Sequence, residues 1–278
     1  MDTSTIAPYQ ELDDVLRNFA ENQRVTLKQN FVGMYLQGSL ALGDFDLTSD
    51  VDFIIVTHDE LSADQVKEVQ TLHTGFFTQD NRWVKRLEYS FFSKQMLRVN
   101  SSPYISGKRV DSPDRNLWYF DNGSPIIKMS DHCNTLVTRW TVREKGITMF
   151  GPNPTTLIDP ISANELRQEI RDTLVGWGEE LLTDPNPYRN RFYQSYLVLN
   201  FSRMLHNLHE GIVGSKLAGI TWAKSHLDPL WIELIDYCWV ERQDTTISVK
   251  QPAKQEIFEQ SLRFVRYVVE QGNKYIIL

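Results

Sequence analysis

The stretch Gly38-Ser39-Leu40-Ala41-Leu42-Gly43-Asp44-Phe45-Asp46-Leu47-Thr48-Ser49-Asp50-Val51-Asp52-Phe53-Ile54-Ile55-Val56 decides how the first half of the chain reads. An apolar run ends at Gly38-Ser39, a polar loop intervenes, and an Asp-x-Asp opens the next apolar run. Side chains alternate along a strand, so Asp50 and Asp52 share one face while Val51, Phe53 and Ile55 take the other. Two carboxylates on one face repel, and a divalent cation between them removes the conflict. Mg²⁺ suits such ligands: it takes one or two carboxylates and completes its shell with phosphates and water. Gly38 lets the backbone approach a phosphate closely, and Ser39 adds a hydroxyl donor there. On the residues alone, the pair either holds a metal or ends a loop and caps a strand. Asp44 and Asp46 form a second Asp-x-Asp with no apolar run behind it, and they read as solvated turn residues.

Upstream, Tyr9, Leu12, Val15, Leu16 and Phe19 recur at helical spacing, and Phe31-Val32-Gly33-Met34-Tyr35-Leu36 reads as a buried strand. Downstream, Ser62 with Gln65 three residues on forms a capping box for a helix running toward Leu72. A third strand is expected from Trp83 to Phe92. Period two puts Glu88 on one face with Arg86 and Ser90, away from Leu87, Tyr89 and Phe91. If this strand neighbours the Asp50–Asp52 strand, Glu88 joins the two aspartates; otherwise it is an exposed Glu on an edge. Strand, strand, helix, strand is an α/β beginning, a small mixed sheet with flanking helices.

Past Gly151-Pro152-Asn153-Pro154 the pattern becomes helical. Ser162 and Glu165 make a second capping box, and Leu166, Ile170, Leu174, Trp177 and Leu181 line one face until Thr183-Asp184-Pro185-Asn186-Pro187 breaks the helix. Leu197, Phe201, Met204, Leu205 and Leu208 line the next, and two more amphipathic stretches follow at about 216–241 and 252–272. The expectation is a catalytic α/β domain over 1–157 and an all-α helical-bundle domain over 158–278. The balance of 29 Lys+Arg against 36 Asp+Glu gives −7, which argues against a nucleic-acid coat needing clustered bases. Only two cysteines occur, Cys133 and Cys238, which excludes a disulfide scaffold or a Cys-based zinc site. Met1-Asp2-Thr3-Ser4-Thr5 has neither a basic segment nor an apolar core. The reading therefore expects no secretory leader, no membrane span and a cytoplasmic monomer.

The Gly-Ser strand end, the spacer, the Asp-hydrophobic-Asp and a third carboxylate on a later strand resemble the nucleotidyltransferases of the DNA polymerase β superfamily. Across its length the chain is similar to the streptomycin/spectinomycin-type aminoglycoside adenylyltransferases. The supporting stretches are Val142-Arg143-Glu144-Lys145-Gly146-Ile147-Thr148-Met149-Phe150-Gly151-Pro152 and the later helices with Arg203, Gly211, Lys216 and Trp222. The resemblance implies transfer of AMP from ATP to a hydroxyl of a small molecule, such as an antibiotic, with release of pyrophosphate. It implies Asp50, Asp52 and Glu88 as the catalytic, Mg²⁺-side carboxylates, with Glu88 accepting the hydroxyl proton. Gly38, Ser39, Ser49, Arg203, Lys216 and Tyr237 would contact the nucleotide. Trp118, in Asn116-Leu117-Trp118-Tyr119-Phe120, would lie against the acceptor, although on the residues alone it reads equally as a core aromatic. One departure stands out: where the family places acidic residues for cationic groups, this chain has Arg189 and Tyr193, and Arg189-Asn190-Arg191 reads as a basic patch that would repel them. Other acceptors (a metabolite, a protein, a tRNA) and a non-catalytic nucleotide sensor are the alternatives. His206 with His209, and Asp131-His132-Cys133, read as structural. No P-loop or Gly-x-Gly-x-x-Gly occurs.

Overall fold

A computed structural model describes residues 6–99 and 102–277; the Met1–Thr5 stretch read above lies outside them. In chain order the elements are α1 (Gln10–Leu27), β1 (Phe31–Leu36), α2 (Gly38–Leu42), β2 (Val51–Thr57), α3 (Ala63–Phe77), β3 (Leu87–Ser93), α4 (Lys94–Arg98), β4 (Tyr104–Ile105), β5 (Lys108–Arg109), β6 (Leu117–Phe120), β7 (Ile127–Ser130), α5 (Leu136–Lys145) and β8 (Ile147–Phe150). The helices α6 (Ala163–Thr183), α7 (Arg191–Glu210), α8 (Lys216–His226), α9 (Ile232–Arg242) and α10 (Gln255–Lys274) complete the chain. None of the described helices is long and apolar enough to cross a membrane.

The chain divides into two compact units, the second comprising Asp46–Thr48, Ser102–Asp111 and Ile161 onward, the first the remainder up to Pro160. In the first unit six strands form one mixed sheet in the order β7-β6-β3-β2-β1-β8. The β2–β3 pair is parallel and joined through α3; the other pairings are antiparallel. One sheet face is aromatic and covered by helices. Phe19 of α1 packs edge-on to Phe53, Phe76 and Tyr89 at 5.6, 5.0 and 5.3 Å, and Phe120 stacks on Tyr89 and His73 at 4.9 and 3.9 Å. Each such ring contributes roughly 2–3 kcal/mol by leaving water. Burial among these rings drops the His73 imidazole to about 4, so it sits neutral at pH 7.

Both capping boxes form: Ser62 and Ser162 each accept from the main chain three residues on, and Gln65 and Glu165 each reach back to the cap. The third strand starts later than expected. Residues Val84–Arg86 form a 3₁₀ turn, because Trp83 is drawn out of strand geometry to pack on Tyr9 and Phe45 at 5.2 and 5.6 Å. The amphipathic stretch at 216–241 is two helices, broken by Leu227-Asp228-Pro229, where Asp228 caps the next turn by accepting from the Leu230 N–H at 3.0 Å.

In the second unit the tight α7–α8 approach needs Gly219: a Cβ there would collide with the main chain at Arg203. Asp46 is not a solvated turn residue. It belongs to the second unit and pairs with Arg242 of α9. Burial opposes the charge, but the bonds from Arg242 and Thr48 hold the Asp46 carboxyl well below the usual carboxylate range.

Candidate active site

The other sheet face carries the polar residues. In the parallel β2–β3 register Val51 lies beside Leu87 and Asp52 beside Glu88, so the two carboxylates stand on adjacent strands and one face. Ser90, two residues on, pairs with Tyr119 of β6 and puts that tyrosine on the same face. Asp50, immediately before β2, accepts from the side-chain amide of Asn122 in the β6–β7 turn. Gly38 has φ +58°, and a Cβ on it would collide with the Asp52 carboxylate, so both backbone and space require glycine. The Gln37 N–H donates to the Asp52 carbonyl at 2.8 Å, fixing the turn over the strand end. Ser39 lies in the first turn of α2, and the Ser49 carbonyl accepts from Arg86 Nη1 at 3.1 Å.

Glu88 is 14% exposed, and its Oε1 lies 3.2 Å from His132 Nε2. That hydrogen bond, with the charges of Glu88, Asp121 and Asp52, raises the His132 pKa. Burial first, then the charges of Glu88, Asp52 and Asp121, push the Cys133 thiol well up, which makes it inert as a nucleophile at neutral pH. The same three carboxylates thus converge electrostatically on one patch. Among the described residues no three His, Cys, Asp or Glu side chains stand close enough to hold a metal by themselves. Glu88 stands beside Asp52 in register while its Oε1 meets His132. Asp50 and Asp52 remain as a donor set that fits Mg²⁺, which needs only one or two carboxylates when substrate phosphates fill its shell.

Trp118 is not brought to this group. It alternates with Tyr119 along β6, so it shares the face of Phe120 and packs against the aromatic core under α1 and α3. His132 was not singled out as functional from the sequence, because its contact with Glu88 spans 44 positions and no local spacing announces it.

In the helical unit Arg203 donates Nη2 to Asn200 Oδ1 at 2.7 Å, and Asn200 donates to the Tyr196 carbonyl at 3.0 Å. Lys216, at the start of α8, sits 5.5 Å above the Tyr196 ring. Tyr196, Asn200 and Arg203 follow one another along one side of α7, so the structure gathers Arg203 and Lys216 around a shared stripe.

A family model described as a nucleotidyltransferase domain matches residues 21–105, and one described as the aminoglycoside adenylyltransferase C-terminal domain matches residues 156–271. The chain is an aminoglycoside-adenylyltransferase-like nucleotidyltransferase. Spectinomycin 9-adenylyltransferases of Staphylococcus aureus strains Mu50 and N315 are 24% identical to it over 215 residues, covering 74% of this chain and 76% of theirs. A crystal structure of spectinomycin adenyltransferase AAD(9) from Enterococcus faecialis with ATP and spectinomycin has the same fold, with a TM-score of 0.63 at 14% identity over 94% of this chain and 98% of that one.

In the helical half of this adenylyltransferase, Tyr237 and the Arg189–Arg191 stretch are each tied to acidic side chains. Tyr237 donates its hydroxyl to Glu241 at 2.7 Å and accepts from Lys254 at 2.6 Å, which places it in a charge cluster joining α7, α9 and α10. Nor is Arg189-Asn190-Arg191 an open basic patch: Arg191 pairs with Glu241 at 3.0 Å and Arg189 with Glu259 at 3.5 Å, the latter over the Phe258 ring. Each guanidinium is matched by an acid, so the repulsion expected toward a cationic acceptor loses its source.

Burial opposes the charge on Glu241, yet hydrogen bonds from Lys254, Tyr237, Arg191 and Gln194 bring it down to about 2. A depressed carboxylate stabilises the fold above its unfolded pKa, and that contribution disappears as pH falls from about 4.5 toward 2. We expect wild-type urea stability to drop by about 3 kcal/mol at most across that window. Glu241→Gln should be less stable at pH 7 and show a shallower slope; an unchanged slope would remove Glu241 as its source.

Proposed function

We propose that this adenylyltransferase moves AMP from ATP to a hydroxyl of a spectinomycin-type aminocyclitol in a magnesium-dependent reaction in the cytoplasm, over an α/β catalytic domain and a helical domain meeting near residue 157. The observation that carries the reading is the Asp52–Glu88 register with Asp50 immediately before β2, held by Asn122, and Gly38 beneath the Asp52 carboxylate. Asp50 and Asp52 would hold the cation, which supplies charge neutralisation at the ATP phosphates. Gly38, Ser39 and Ser49 border the position of the triphosphate. Arg203 and Lys216, gathered along α7 and α8 of the helical unit, are the nucleotide contacts that the family resemblance implies.

Glu88 accepts the proton as the acceptor hydroxyl attacks the α-phosphorus. The new oxygen–phosphorus bond forms as the bond to the bridging oxygen breaks, and pyrophosphate leaves with the electron pair. Positioning and charge neutralisation account for most of the acceleration, as in phosphoryl transfer generally.

Names of the Staphylococcus aureus relatives and the ligands of the Enterococcus structure support spectinomycin as acceptor, and the neutralised Arg189 and Arg191 raise no charge objection to it. Pyrophosphate release with ATP, Mg²⁺ and spectinomycin tests the chemistry. Glu88→Gln should slow it by roughly 10²–10⁴-fold, the usual share of a general base. Full turnover in that variant would overturn the base assignment.

A further inference from the structure

We infer that His132 is the positioning residue of Glu88, held for that purpose by a buried turn between β7 and α5. The inference rests on Glu88 being the proton acceptor. Glu88 stands in register with Asp52, so its carboxylate is pushed by a like charge on the neighbouring strand and needs a donor to keep its orientation. A carboxylate has only acceptors, and one that takes a proton through one oxygen is best fixed through the other. His132 Nε2, at 3.2 Å from Glu88 Oε1, is such a donor.

What fixes the imidazole is unusually rigid for a surface side chain. The His132 ring is 61% exposed and packs 5.5 Å from the Tyr119 ring, yet the turn that carries it is pinned from within. Its N–H donates to Ser130 Oγ at 3.2 Å, and the Asn134 N–H closes the turn on the Asp131 carbonyl at 2.9 Å. Asn134 is fully buried and Arg115 nearly so. Arg115 donates to the Asn134 carbonyl at 2.9 Å and lies 3.4 Å from Asp131, while the Asn134 amide donates back to the Arg115 carbonyl at 2.7 Å. A second buried guanidinium, Arg139, donates to Asn134 Oδ1 at 2.7 Å. Buried charge is costly to install, and here two guanidiniums immobilise a turn of four residues whose one exposed ring meets Glu88.

The test follows spectinomycin adenylylation by the full chain with ATP and Mg²⁺. His132→Ala should lower kcat about 10–100-fold, the scale on which outer hydrogen-bond partners act. KM for ATP should move less than about twofold, because orientation of the base leaves nucleotide binding alone. His132→Gln, which restores a side-chain N–H, should recover most of the loss. In a Glu88→Gln background His132→Ala should add little, since a residue acting through another is non-additive with it. A second readout needs no turnover: the Glu88 carboxyl ¹³C resonance, assigned by its loss in Glu88→Gln, should shift in His132→Ala and return in His132→Gln. Wild-type kcat in His132→Ala, no rescue by Gln, full additivity with Glu88→Gln, or an unmoved resonance would each overturn the inference. If the wild-type chain leaves spectinomycin unmodified, the acceptor assignment fails while the resonance still decides the role of His132.

Discussion

Asp52→Asn is expected to cost adenylyl transfer about 10³-fold in kcat/KM, or about 4 kcal/mol of transition-state stabilisation. The substitution changes charge but hardly shape. Asp52 sits beneath Gly38 and beside Glu88, so an amide there halves the negative charge offered to a cation while filling the same space. Folding should not suffer, because the change relieves repulsion between adjacent carboxylates. The expected pair of results is a lost rate with an unchanged or raised melting temperature. A variant that lost both would mark Asp52 as structural. Asp50→Asn should behave alike but less severely, since Asn122 already holds that carboxylate from the β6–β7 turn.

The largest stability effect is expected at Arg139. Only 1% exposed, it donates to the Leu97 and Met96 carbonyls of α4 at 3.0 and 2.8 Å, to the Thr135 carbonyl at 3.0 Å and to Asn134 Oδ1 at 2.7 Å, and it lies 5.3 Å over the Phe92 ring. Those bonds reach the Leu97 carbonyl and add a second donor to the Met96 carbonyl, which also accepts from the Val99 N–H at the end of α4. Arg139→Ala leaves them buried without that donor and opens a void, at a cost of about 3–5 kcal/mol. For a unit of this size that lowers the melting temperature by roughly 8–15 °C. Calorimetry checks it, and a loss below about 1 kcal/mol would show that the turn is held by other contacts.

The parts of this molecule that the sequence disclosed are those whose causes are local. Ser62–Gln65 and Ser162–Glu165 announce helix starts because a cap is made within four residues. The strands from Phe31 and Val51 announce themselves by continuous apolar residues, and period two pairs Asp50 with Asp52, while bringing Glu88 beside Asp52 takes the β2–β3 pairing. The β6–β7 hairpin was not legible, since its strands are four residues long and separated by Asp121-Asn122-Gly123-Ser124-Pro125-Ile126. With it went Asn122 and His132, whose contacts with Asp50 and Glu88 cross 72 and 44 positions. Trp118 stays open between two readings on sequence for a related reason: which face it takes follows from the pairing of Ser90 with Tyr119, which only the folded sheet reveals. Asp46 reads as a solvated turn residue and Arg191 as part of an open basic patch because their partners, Arg242 and Glu241, lie on a helix far along the chain.

The proposed chemistry puts adenylylation of a small-molecule hydroxyl on Asp50, Asp52 and Glu88. Mass spectrometry of spectinomycin incubated with this chain, ATP and Mg²⁺ tests it most directly. The expected product is heavier by one adenylyl group, formed with pyrophosphate and absent from the Asp52→Asn reaction. Unmodified spectinomycin across a panel of aminocyclitols and aminoglycosides, with ATP left intact, would contradict it.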